Sequence, residues 1–185
     1  VIPIYRDREL AFILADSRSR CLFIPGVYRG HDFPDMIERL MPQLPDLTHV
    51  ISVRQDSDTC ALLRYENLIA KANLSPVPQH VGEMGAAKII MYTSGTTGRA
   101  KAVKHSHTSL ARALDNGIEG WSLDNRDIML MPSPVTHVTG FANGIELPFL
   151  SDCKSAFMER WDVDLAAAYI QRIGATGCVS ATPFL

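Results

Sequence analysis

Apolar positions along the chain alternate between helical spacing and short continuous runs, and that alternation predicts a succession of helices and strands. After Asp7, a residue suited to cap a helix, Leu10, Ile13, Leu14 and Ser17 recur at helical spacing, and Phe12 widens the apolar face. "CLFIP", Cys21 to Pro25, is a short strand pattern closed by Pro25-Gly26. Pro34 and acidic Asp35 open a second helix with Met36, Ile37, Leu40 and Met41 on one face, and Pro42 ends it. β-Branched "THVISV", residues 48–53, reads as a strand, and residues 57–84 as a weak helix followed by a proline-containing connection. "AKIIMY", residues 87–92, is the next strand. Ser106 or Thr108 then caps a helix through Leu110, Ala113 and Leu114 that ends near Asn116-Gly117.

Asp115 to Asp127 carries turn residues and no steady period, and the chain is expected to divide there into sub-lobes 1–117 and 118–185. Beyond it follow strand "IMLMP", an apolar helix-like stretch from about Val138 to Leu150, strand "KSAFM", a capped helix from Asp162 to Gly174 and a closing strand "TGCVSA". Strands repeatedly separated by helices imply right-handed βαβ units. The expected class is α/β, with mostly parallel sheets and helices on both faces.

Composition narrows the function classes. The 185 residues are 46% hydrophobic and 21% charged, the balance of a globular chain. A net charge of −2 argues against nucleic acid as a partner, because binding its backbone draws on a clear excess of Lys and Arg. Cys21, Cys60, Cys153 and Cys178 form no CxxC pair, and three sit in or beside apolar runs, so they are expected to be buried thiols in a reducing compartment. No run reaches the roughly 18 apolar residues of a membrane span, and "VIPIYRDREL" lacks a signal-peptide pattern, so the expected location is cytoplasmic. Val1 is not Met and the last strand-like run stops abruptly; a piece of a longer chain is expected.

One polar stretch has chemistry to explain. "YTSGTTGRAKAVKHSH", Tyr92 to His107, sets Thr93, Ser94, Gly95, Thr96, Thr97 and Gly98 directly behind a strand, with Lys101 just beyond. Glycines let backbone N–H groups converge on an anion, hydroxyls add donors or hold a divalent metal, and a lysine supplies mobile positive charge. The P-loop pattern fails, since counting from Gly95 its second glycine falls on Ala100 and Ala102 follows the lysine where Ser or Thr belongs. Composition alone leaves open a phosphate-binding loop of another type or a solvent-exposed βα turn.

The same stretch resembles the phosphate-loop signature [ST]SGTTGxPKGVxxxH of the adenylate-forming superfamily, which includes acyl-CoA synthetases, peptide-synthetase adenylation domains and luciferases. The SGTTG core, Lys101, Val103 and His107 match; Ala100 and Ala102 stand where the family has Pro and Gly. A second stretch, "MPSPVTHVTGF", matches a P[LM]xHxxG pattern of that superfamily through Pro134, His137 and Gly140. Its continuation looks most like short- and medium-chain fatty acyl-CoA synthetases and cyclohexanecarboxylate-CoA ligases. The chain is thus expected to form two sub-lobes of a larger adenylate-forming N-terminal domain.

The resemblance implies an ATP-dependent acid–CoA ligase: a fatty or alicyclic carboxylic acid and ATP give an acyl-adenylate and pyrophosphate, and CoA then takes the acyl group. It assigns phosphate binding to Thr93, Ser94, Gly95, Thr96, Thr97, Gly98 and Lys101, Mg²⁺ contact to Thr93, a catalytic and substrate-sorting role to His137, and substrate contact to Gly140 and Phe141. Small residues at Gly140 and Gly144 would leave room for an acyl chain, or serve plain helix packing. ATP, Mg²⁺ and coenzyme A are the implied cofactors, and a homodimer is compatible with the resemblance. The YGxTE segment, ribose-binding Asp and lid lysine of the family are not found, so the chain alone is expected to be inactive. An adenylation module loading a carrier protein and a non-catalytic nucleotide-binding module remain the alternatives. His105 and His107 have no nearby acidic or Cys partner for a metal, and no serine lies in GxSxG.

Overall fold

A computed structural model describes residues 3–54, 62–72, 82–93 and 100–180. Among these, residues 3–72 with Ala100 and Lys101 belong to one compact unit, and residues 82–93 with 102–180 to another.

The first unit comprises α1 (Asp7–Asp16), β1 (Cys21–Pro25), β2 (Val27–Tyr28), β3 (His31–Asp32), α2 (Phe33–Leu40), β4 (His49–Val53), β5 (Leu63–Arg64) and α3 (Tyr65–Lys71). β1, β4 and β5 form a parallel sheet in that order, with Phe23 opposite Ile51 and Ile51 opposite Leu63. The antiparallel β2–β3 pair turns through Arg29 and Gly30, both at positive φ, as a tight hairpin turn requires. Leu10 and Leu14 of α1, Phe33, Met36, Ile37 and Leu40 of α2, and Ile24 and Val50 of the sheet make one core, with Met36 and Ile37 fully buried. Asp32 caps α2 by accepting from the Asp35 N–H at 3.0 Å.

Local rules and packing disagree at two helix ends here. Asp7 is the first residue of α1 rather than its cap, where its charge still favours the helix N-terminus. Met41 leaves the buried face of α2 and is 39% exposed, because Pro42 breaks the helix into a 3₁₀ turn, Met41–Gln43.

The second unit comprises β6 (Ala87–Thr93), β7 (Lys101–Ser106), α4 (His107–Trp121), β8 (Ile128–Met131), α5 (Val138–Gly140), α6 (Leu147–Ser151), β9 (Lys154–Phe157), α7 (Val163–Ile173) and β10 (Gly177–Cys178). β10, β8 and β9 form a second parallel sheet in that order; β6 and β7 pair with each other. Thr176 sets the start of this sheet: its Oγ1 donates to the Asp127 carboxylate at 2.8 Å and accepts the Ile128 N–H at 3.0 Å. Leu110 and Leu114 pack with Met129, Ala142, Leu147 and Cys153.

Two elements of this unit, and the burial of the cysteines, differ from what the sequence predicts. A strand that the apolar pattern did not signal, β7, stands between the polar stretch and α4, which begins as expected with Ser106 as its cap. α4 runs unbroken through Asn116-Gly117, because Leu110, Leu114 and half-buried Ile118 continue one face into the core; it stops at Ser122, in left-handed backbone. The pattern break from Asp115 to Asp127 therefore lies partly inside a helix. Of the described cysteines only Cys153 is buried; Cys21 and Cys178 are exposed.

Candidate functional site

β6 ends at Thr93 and its sheet neighbour β7 begins at Lys101, so the two strands flank the polar stretch. Both residues are exposed. Ser94, Gly95, Thr96, Thr97 and Gly98 lie outside the described residues. Just beyond β7, Ser106 starts α4 with a reciprocal cap: its Oγ accepts the Ser109 N–H at 3.1 Å and its own N–H donates to the Ser109 Oγ at 3.0 Å. Thr108 adds a tie, its N–H and hydroxyl both donating to the Met84 carbonyl. The helix after the polar stretch thus begins at a defined residue.

The second candidate stretch follows β8. Pro132, Ser133 and Pro134 turn the chain, the His137 N–H donates to the Pro134 carbonyl at 3.0 Å, and helical backbone begins at Val138. Nδ1 of His137 accepts the Thr139 N–H at 3.3 Å. With Nδ1 accepting, the neutral ring carries its proton on Nε2, and the exposed imidazole presents a donor to solvent.

Gly140 is buried against the turn: a Cβ there would lie 2.6 Å from the Ser133 carbonyl oxygen and closer still to that of Pro134. Its small size therefore has a packing cause. Gly144 likewise lets the helix approach Met131 and Phe157, to 2.9 and 2.7 Å from a notional Cβ. Phe141 is half-buried and packs against the core around Leu110 and Met129. Ser133 is 5% exposed, and its Oγ has no hydrogen-bond partner among the described residues.

The helix expected from Val138 to Leu150 is present but wound differently. Residues Phe141–Glu146 form a wide π turn between α5 and α6, and the Leu147 N–H donates five residues back to Ala142. Pro148 gives the reason, since it has no N–H and its ring clashes with the carbonyl four residues earlier in a regular helix. Asn143 Nδ2 donates to the Thr139 carbonyl at 3.0 Å, and Glu146 pairs with Lys88 of β6, both partly buried. Wide turns of this kind occur frequently at functional sites.

The sequence signals for Asn143, Glu146 and Lys88 are slight; the only local hint is Asn143-Gly144 and Pro148 inside a helix-like run. Among the described residues, no group of three His, Cys, Asp or Glu side chains gathers to hold a metal ion. None of the helices there is long and apolar enough to cross a membrane.

A family model described as AMP-binding enzyme matches residues 1–185. The chain is 27% identical over 187 residues to the medium-chain fatty-acid–CoA ligase of Escherichia coli (strain K12), covering 100% of this chain and 32% of that protein. In fold it is similar to the N-terminal domain of FACL13 from Mycobacterium tuberculosis, solved with an inhibitor bound, at TM-score 0.74 and 24% identity over 96% of this chain and 42% of that one. It is also similar to ATP-bound MatB from Rhodopseudomonas palustris, at TM-score 0.77 and 19% identity over 96% of this chain and 33% of that one. At those identities the likeness is one of fold.

Proposed function

The chain belongs to the AMP-binding enzyme family, and we propose on that premise that it is part of an ATP-dependent acid–CoA ligase. It spans about a third of the length of the curated relative above, so the activity belongs to the longer protein. The observation that carries the reading is the conjunction of two motifs: SGTTG in the sequence after β6 with Lys101 opening β7, and His137 with Gly140 after β8.

In the reaction a carboxylate oxygen attacks the α-phosphorus of ATP and pyrophosphate leaves. The thiolate of CoA then attacks the acyl carbon and AMP leaves. A carboxylate is a poor acyl donor and AMP a good leaving group, so activation precedes transfer. Catalysis of this kind is mostly positioning and charge stabilisation.

Thr93, Ser94, Gly95, Thr96, Thr97, Gly98 and Lys101 would hold the β and γ phosphates. Mg²⁺ would supply charge neutralisation there, and the donor chemistry fits: one hydroxyl from Thr93, with phosphate and water oxygens completing the shell. His137, with its proton on Nε2, would donate to an oxygen of the acid or of the acyl group. Gly140 and Phe141 stand beside it at the helix start. The name of the E. coli relative supports a fatty acid of medium length as substrate. A cytoplasmic location fits water-soluble ATP and CoA.

Acid-dependent ATP–pyrophosphate exchange by the intact protein, across carboxylates of graded length, tests the first step. Thioester formation with free CoA against phosphopantetheinyl carrier protein tests the second. No exchange with any acid would overturn the ligase reading, and transfer to a carrier alone would make the protein an adenylation module.

A further inference from the structure

We propose that Asn143 is a positioning residue for the imidazole of His137, acting through the backbone of Thr139, which both side chains grip. His137 takes the N–H of Thr139 on Nδ1 at 3.3 Å, and Asn143 holds the carbonyl of the same residue at 3.0 Å. The His137 carbonyl in turn accepts the Phe141 N–H at 2.9 Å. Thr139 is therefore fixed from one side by the ring and from the other by the amide.

The need for such a tie follows from where Thr139 lies. The ring of His137 is exposed, and one 3.3 Å bond restrains it only as well as its donor is held. That donor sits where four-residue helical bonding gives way to the wide turn at Phe141. An amide NH₂ four residues on gives the Thr139 carbonyl a donor without requiring the backbone to close into a regular turn.

The far end of the wide turn is held independently by the Glu146–Lys88 pair and by the Leu147 N–H on Ala142. Asn143 thus governs the end nearest His137. An Asp of the same size would turn an acceptor toward the carbonyl, whereas a Ser hydroxyl reaches a carbonyl four residues back.

The consequence for catalysis rests on the ligase reading above; the consequence for the ring does not. Nitrogen-15 spectra of histidine-labelled intact protein give the ring state directly. The expectation is a single Nε2–H tautomer for His137 in the wild type and in Asn143→Ser, and a mixture in Asn143→Asp and Asn143→Leu. In acid-dependent exchange, Asn143→Asp should raise KM for the carboxylate about tenfold while KM for ATP stays within about twofold.

An unchanged His137 tautomer in a folded Asp or Leu variant overturns the proposal, and so does loss of fold in both, which would mark Asn143 as purely structural. Equal rises in both KM values also count against it. Absence of exchange in the wild type sinks the ligase reading instead, and the spectra still decide whether Asn143 holds the ring.

Discussion

Gly140 lies against the carbonyl of Ser133 so closely that a Cβ would sit 2.6 Å from its oxygen. The turn after β8 and the helix after His137 are locked together at that point, and backbone atoms cannot swing aside as a side chain can. Gly140→Ala is expected to destabilise the protein by about 1–3 kcal/mol. Gly120→Ala in α4, where a Cβ meets nothing within 4 Å, should stabilise by about 0.5 kcal/mol. Urea unfolding of the two variants beside wild type checks the pair; a neutral Gly140→Ala would show that the turn yields.

Ser106 and Ser109 satisfy each other's backbone donors at the start of α4. Ser106→Ala should cost about 1 kcal/mol, read as a lowered thermal midpoint. Because α4 follows β7 directly, hydrogen exchange should rise in its first turn and not in its buried half around Leu114.

The Ser133 hydroxyl is buried and has no partner among the described residues, an arrangement that costs free energy. Ser133→Ala removes it and should leave stability unchanged or raise it by about 1 kcal/mol. A clear loss in urea denaturation would mean that the hydroxyl is bonded in solution.

The Glu66 carboxyl is held below the usual glutamate range, chiefly by the Arg54 N–H donating to it, with help from its own N–H and the nearby Arg64 charge. Its folded pKa lies under its unfolded one, so the stabilisation is present above the ordinary value of about 4.3 and is lost as pH falls through and below it. Asp124 behaves alike, because Arg126 bonds it through both side chain and backbone. Glu66→Gln should therefore lower the thermal midpoint slightly at neutral pH and converge with wild type in acid, which flattens the acid limb. A parallel acid limb would show that the Arg54 contact is absent in solution.

Lys101 opens β7 beside the phosphate-loop motif. In the intact protein, Lys101→Ala should raise KM for ATP about tenfold or more with little change in KM for the acid. Restoring the family residues by Ala100→Pro and Ala102→Gly should leave KM for ATP unchanged or lower it. Initial-rate kinetics of ATP–pyrophosphate exchange settle both, and a rise for the restored loop would mean that its hold on phosphate differs from the family's.

The sequence by itself determined the class of the fold and the placing of most elements, because those depend on short-range rules. The apolar spacing of Leu10, Ile13 and Leu14, the Asp162 cap that accepts from the Leu165 N–H, and the Gly174 stop at positive φ all appear where local chemistry puts them. SGTTG, Lys101, His137 and Gly140 were legible as candidates for a similar reason, since each of the two motifs that single them out is written within a short run of residues.

Tertiary structure decided what depends on partners distant in sequence or on competition between rules. β7 exists as a strand because β6 is there to pair with it, and α4 passes Asn116-Gly117 because burying Leu114 and Ile118 outweighs a local stop signal. The wide turn after His137 arises because Pro148 forbids regular bonding while Asn143 and the Lys88–Glu146 pair hold what remains. Gly140, read from sequence as room for substrate or as packing, gains its physical cause only from carbonyls that the folded turn brings against it.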